Sequence, residues 1–372
     1  MSTTRTDEDR PELRKALDDI AATAGFVGVQ LRVNDERGEW VGSAGARELG
    51  SADAPPTDGR FRIGSNTKTF IATAVLGLAA EGRIGLDDPA DDHLPGFGLD
   101  RRITVRMLLQ HTSGIFNFTG ETLPDGSVVP GIAWSGREWV EDRFRTYEPA
   151  ELVRLALAEP ARFEPGTAWS YANTNYVVLR LLIENVTGRT AAEEVDRLIL
   201  APLGLADTLL PTTETDVPGP HAHAYYRYEV DGEERTVDVT RQNPSWISSG
   251  GDMISSTRDL HTFIGALVGG RLLPAPLLAE MLTPYPGIGY GLGVFVQPAG
   301  PDGGTVVTHN GGISGHAGLM YSTLDGRTTL TAGLNYVDDA DLSMAAAFQQ
   351  VTQRLTTEVF GAAEAAAEPA DA

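Results

Sequence analysis

Cysteine is missing from all 372 residues, which removes disulfide frameworks, thiol nucleophiles and cysteine metal sites from consideration and leaves the redox compartment open. Lysine is nearly missing as well: of 29 basic residues only Lys15 and Lys68 are lysines, and the other 27 are arginines. Positive charge as a whole is outnumbered, 29 basic against 51 acidic residues, for a formal net charge of -22. Such a surface repels polyphosphates and anionic headgroups, so neither nucleic acid nor membrane is expected as a partner. No apolar run approaches the length of a membrane span, and Met1 to Arg10 is polar with no apolar stretch behind a basic start. The chain as written reads as cytoplasmic, and a secreted chain with its signal peptide removed would read the same. No internal repeat is visible.

What is present is enough for one large enzyme-sized domain or two interlocked ones. Pro11 to Ala21 reads as a charged helix. Val27, Val29, Leu31 and Val33 alternate, turn at Asp35-Glu36-Arg37-Gly38 and resume at Trp40, as a β-hairpin does. From Ser65 to Gly82 the apolar residues have helical spacing and little surface charge, predicting a buried helix. Helices are also predicted at Thr104 to Gln110, Pro149 to Ala158 and Asn175 to Val186, with a loop at Gly120 to Trp134. Gly289 to Val296, Thr305 to His309, Gly318 to Ser322 and Thr328 to Leu334 read as strands, and Leu342 to Phe360 as an amphipathic helix. Strands at both ends around a helical middle predict an α+β fold: an antiparallel sheet from both chain ends flanked by helices, with an inserted mainly helical domain. The expected division is 1–62 with 240–361 for the sheet domain and 63–239 for the helical one, with 362–372 a disordered tail.

The scarcity of lysine gives Lys68 its interest. Arginine cannot accept a proton near neutral pH, whereas a buried lysine amine can lose its own. Ser65 stands at the start of the buried helix, where unpaired backbone N–H groups and the helix dipole favour an anion. Three residues on, Lys68 projects from the same face, close enough to take the serine proton and activate the hydroxyl as a nucleophile. A lone Ser-x-x-Lys is too short to carry an assignment, but two more elements follow in order. Ser170-Tyr171-Ala172-Asn173 precedes a helix, and His309-Asn310-Gly311-Gly312 ends a predicted strand where glycine permits close approach of a ligand.

Taken together, Ser-x-x-Lys, Tyr-x-Asn and His-x-Gly resemble the penicillin-binding protein and class C β-lactamase superfamily of serine hydrolases. Within it, the likeness is to the soluble Streptomyces D-alanyl-D-alanine carboxypeptidase type. The resemblance runs from residue 12 to 360 and includes Phe61 to Gly64, Leu109-Gln110-His111-Thr112-Ser113-Gly114 and Gly250 to Leu260. It implies an acyl-enzyme at Ser65, proton transfer shared by Lys68 and Tyr171, and His309 near the leaving group. It further implies that Asn173 holds the substrate amide and that the N–H groups of Ser65 and Gly312 form an oxyanion hole. Asn310, Gly311, Gly312 and Trp246 are expected to bind substrate, with Phe116 and Phe118 either beside them or in the core. No cofactor or metal is implied; His221 and His223 read as a solvated loop.

Two departures bear on the substrate. The carboxypeptidase type carries an arginine after Tyr-Gly-Leu-Gly and threonines in the third motif to hold a free carboxylate, but here Val294 and Phe295 follow Gly293, and the motif offers Asn310 and Gly312. The partner is expected to be a small-molecule or peptide acyl donor, with acylation by β-lactams. A D-alanyl-D-alanine carboxypeptidase, an intracellular esterase, amidase or transacylase, and a non-catalytic penicillin-binding sensor all stay open.

Overall fold

Alternation along the strands decides how the sheet is layered. The computed structural model describes residues 10–123, 125–299 and 304–361; the expected tail at 362–372 lies outside them. The sheet strands are β1 (Phe26–Asp35), β2 (Gly38–Gly45), β3 (Tyr225–Val230), β4 (Glu233–Asp238), β5 (Phe295–Pro298), β6 (Thr305–Ile313), β7 (His316–Thr323) and β8 (Thr329–Asp339). Their order is β2-β1-β8-β7-β6-β5, antiparallel throughout, with β3 pairing in parallel with the end of β8 and β4 pairing with β3. On one face Val29, Leu31, Val33, Leu319, Leu330 and Leu334 pack against two terminal helices, α1 (Pro11–Ala21) and one at Ala345–Phe360. The other face, with Val307, Ile313 and Met320, meets the helical part of the molecule.

At the centre of that part is α2 (Thr67–Ala80), whose residues from Thr67 to Leu76 are all buried. A helix apolar on every side belongs in a core, and each large side chain buried there contributes roughly 1.5–3 kcal/mol. It is flanked by α3 (Val105–Gln110), α4 (Asn173–Thr187) and α5 (Thr257–Val268); Phe70 stacks on Phe263 of α5 with ring centroids 3.7 Å apart. Among the described residues no helix is long and apolar enough to cross a membrane.

Two expectations need correction. β3 and β4 lie inside the stretch expected to be helical, so residues 225–238 belong with the sheet. Asp231-Gly232, with φ of 55° and 81°, is the two-residue turn that joins them, and the tyrosine-rich run before it favours a strand. The loop at Gly120 to Trp134 holds a short hairpin, Gly120–Thr122 with Val128–Pro130.

Candidate active site

The turn Gly64–Asn66 leads directly into α2 and is clamped from both sides. Asn66 Nδ2 donates to the Ile63 carbonyl (2.8 Å) and, across to β7, to the Gly318 carbonyl (3.0 Å). Thr67 Oγ1 donates to the Gly64 carbonyl (2.8 Å) and accepts from the Met253 N–H (3.1 Å). Ser65, half-buried, is thus held on a rigid support.

Lys68 is fully buried. Its Nζ lies 3.1 Å from Ser65 Oγ, 2.8 Å from Asn173 Oδ1 and 2.6 Å from the Gly250 carbonyl, with the Tyr171 ring centroid at 4.6 Å. Two of these three partners are carbonyl oxygens that only accept. A neutral amine has two N–H groups for them and one lone pair, which then faces the Ser65 hydroxyl. Burial supplies the neutral form, pushing the Lys68 amine well below the usual lysine range, with Asp252 opposing it. Burial also pushes the Tyr171 phenol above its usual range, and its hydrogen bond to Ser65 draws it part of the way back. Both shifts favour the uncharged forms, amine and phenol, around Ser65.

Tyr171 and Asn173 owe their positions to the segment after α3. His111, in the left-handed region at the end of that helix (φ 63°), accepts at Nδ1 from the Ala172 N–H (3.2 Å) and from Asn175 Nδ2 (3.0 Å). Its ring lies 4.3 Å from that of Tyr171. Asn117 Oδ1 accepts from the Asn173 N–H (3.0 Å), and Thr174 Oγ1 donates to the Phe116 carbonyl (2.7 Å). Phe116 and Phe118 are buried, Phe118 within the main core. Burial above all pushes the His111 imidazole well below its usual range.

β6 forms the opposite wall. A Cβ placed on Gly311 would come within 3.0 Å of the Ile63 carbonyl and the Ser65 nitrogen, and one on Gly64 would meet the Gly312 nitrogen at 2.6 Å. Only glycine at both positions lets the strand approach this closely, and the Ser65 and Gly312 nitrogens lie at this contact between the turn and the strand. His309 is buried beside them, its pKa pulled down to about 3 by desolvation and then by Lys68. Its Nδ1 bonds the Asn310 carbonyl (2.9 Å), which leaves Nε2 to face the Tyr290 hydroxyl (3.4 Å). Phe295 meets the His309 ring edge-on at 5.6 Å. Trp246 lines a cavity that includes Gly312.

Asn310 is not brought into this group. Strand alternation turns its side chain to the opposite face of the sheet, where Nδ2 donates to Tyr321 Oη (2.6 Å) near Phe348 and Thr352 of the terminal helix. His221 and His223 stack on each other, His223 pairing with Asp238; the described residues hold no cluster of three or more His, Cys, Asp or Glu able to bind a metal.

Two residues that the sequence did not single out complete the surroundings. Tyr290 joins the ring cluster around His111. Asp252, buried, closes the loop that carries the Gly250 carbonyl by accepting from the Ser249 N–H (2.8 Å), 3.8 Å from the Arg180 guanidinium. Burial raises its carboxyl to about 6. Gly-Gly-Asp reads as an ordinary turn, so only long-range packing reveals it.

A family model described as Beta-lactamase matches residues 13–356. The chain is 27% identical over 317 residues to Penicillin-binding protein 4* of Bacillus subtilis (strain 168), covering 82% of this chain and 66% of that protein. It spans between 39% and 66% of the length of the curated relatives it matches first. Among solved structures it is similar to a D-stereospecific amidohydrolase from Streptomyces sp., with 38% identity, a TM-score of 0.79 and coverage of 94% of this chain and 98% of that one. It is also similar to the D-amino acid amidase from Ochrobactrum anthropi SV3 complexed with L-phenylalanine amide, with 26% identity, a TM-score of 0.79 and the same coverages.

Proposed function

The chain belongs to the Beta-lactamase family, whose members include serine hydrolases that work by acyl transfer, and from this we propose that it hydrolyses small amides through an acyl-enzyme at Ser65. The observation that carries this is the fully buried Lys68 amine with its Nζ 3.1 Å from Ser65 Oγ. The serine oxygen bonds to the carbonyl carbon as its proton passes to Lys68 Nζ. The C–N bond then breaks, and the leaving nitrogen takes a proton relayed from Lys68 through the Tyr171 hydroxyl. Water reverses the sequence: its oxygen bonds to the acyl carbon, a proton goes to the Tyr171–Lys68 pair, and the ester bond breaks as Ser65 Oγ is reprotonated. The N–H groups of Ser65 and Gly312 stabilise the oxyanion, and Asn173 orients the substrate amide.

Polarity favours an amide over a C-terminal carboxylate. The wall on the leaving-group side is neutral, formed by His309, Tyr290 and Phe295, none of which matches the arginine of the carboxypeptidase type. The similarity to a D-stereospecific amidohydrolase and a D-amino acid amidase supports D-amino acid amides as the class to test. Incubation with D-phenylalanine amide should release ammonia, with Ser65→Ala inactive. D-alanine release from D-alanyl-D-alanine peptides, with no ammonia from the amide, would return the carboxypeptidase reading.

The acid limb of the rate profile gives a second check. kcat/KM should rise with pH as the Lys68 amine loses its proton, without an alkaline fall from Tyr171, whose phenol is raised. Asp252 stabilises the ammonium form of Lys68. Asp252→Asn should therefore shift the acid limb to lower pH, and a limb unchanged or shifted upward would contradict the roles given to this pair.

A further inference from the structure

A cavity of about 180 Å³ adjoins Gly312, walled by Trp246, Ser314, Tyr336 and Asp338. A second, of about 120 Å³, shares Gly312, Tyr336 and Asp338 with it. Asp338 accepts only two backbone hydrogen bonds, from the Asp339 N–H (2.9 Å) and the Gly315 N–H (3.3 Å). Among the described residues no arginine, lysine or histidine pairs with it. Its neighbour Asp339 differs, being occupied by Arg227 and Ser343. The Tyr336 hydroxyl, beside Gly312 and Asp338, is likewise without a hydrogen-bond partner among the described residues. Burial raises the Asp338 carboxyl to about 6 while its two backbone hydrogen bonds favour the charged form, and among the described residues it has no countercharge.

Position gives this carboxylate a purpose. Gly315, whose N–H it accepts, is three residues beyond Gly312, a reach of at most ~11 Å. An acyl group with its carbonyl oxygen at the Gly312 N–H can extend along the end of β6 into this cavity. On the leaving-group side, by contrast, the walls are neutral. We propose that Asp338 anchors an ammonium group on the acyl side of the substrate, so that donors with a free amine are selected over their N-acylated forms. This rests on the reading of Ser65 as the acylated nucleophile. The net charge of -22 also draws cations, but beyond a Debye length of about 8 Å that attraction is largely screened and cannot select a single amine.

Binding tests the anchor apart from turnover. Calorimetric titration of the Ser65→Ala protein should show D-phenylalanine amide binding at least tenfold more tightly than N-acetyl-D-phenylalanine amide. Adding Asp338→Asn should bring the ratio near one, and Asp338→Glu should restore part of it; Asp338→Ser serves as the neutral variant if asparagine disturbs the Gly315 turn. If an unblocked D-alanyl-D-phenylalanine amide binds most tightly, and loses that advantage with Asp338, the ammonium sits one residue further back, which also supports the anchor. Equal affinities, no binding of either amide, or a preference that survives the loss of the Asp338 charge would overturn it. Amine-selective binding without ammonia release by the unsubstituted protein would instead overturn the hydrolase reading and leave the anchor standing.

Discussion

Substituting methionine for Lys68 is expected to lower kcat/KM on amides and esters by roughly 10²- to 10⁴-fold, the range associated with losing a positioned proton acceptor. That corresponds to about 3–5.5 kcal/mol of lost transition-state stabilisation, with the fold retained. Methionine fills most of the same space, and removing the amine relieves the cost of desolvating it. The Gly250 carbonyl and Asn173 Oδ1 lose a donor, at about 1–3 kcal/mol each where no water replaces it. Lys68→Arg separates charge from proton acceptance: a guanidinium stays protonated and brings extra bulk to a site with no exposed surface. It should be as inactive as methionine and less stable. Steady-state rates and thermal melts on both variants test this, and activity within tenfold of the parent in either one would remove Lys68 as the proton acceptor.

The contrast between the two lysines explains why this much was legible in the sequence. In a chain that uses arginine for ordinary charge, Lys68 inside an apolar helix pointed to a titratable amine, and the structure puts that amine 3.1 Å from Ser65 Oγ. Tyr171 and Asn173 were singled out only through the resemblance, because Tyr-x-Asn alone reads as a loop between helices; Asn173 in fact begins α4. Asn310 was misjudged because a motif read along the chain ignores that alternate residues of a strand face opposite ways. The strands at 225–238 escaped because the Asp231-Gly232 turn was not weighed against the helical middle around it. Asp252, His111 and Asp338 make contacts with residues distant in sequence: Asp252 with the Lys68 surroundings, His111 with Ala172 and Asn175, and Asp338 with the turn at Gly315. No local pattern encodes such pairings, so only the fold displays them.

Alanine at Gly311 and at Gly312 should have opposite consequences, although the two are neighbours on one strand. At Gly311 the added methyl would press within 3.0 Å of the Ile63 carbonyl and the Ser65 nitrogen. Both are backbone atoms of a turn that Asn66 and Thr67 clamp in place, so neither can yield cheaply. The strand must move outward, separating the Gly312 N–H from Ser65 and opening the proposed oxyanion hole. Removing one oxyanion donor elsewhere costs about 10²- to 10³-fold in rate, and here the overpacking adds a stability loss of about 1–3 kcal/mol or more. At Gly312 the same methyl meets nothing closer than Tyr336 Oη at 3.7 Å. Gly312→Ala should therefore fold with parental stability and keep kcat within about tenfold, changing mainly KM because the methyl enters the cavity shared with Asp338. Parallel melts and kcat measurements decide the matter. Equal tolerance of both substitutions would mean that the contact of β6 with the Ser65 turn is not what sets the oxyanion geometry.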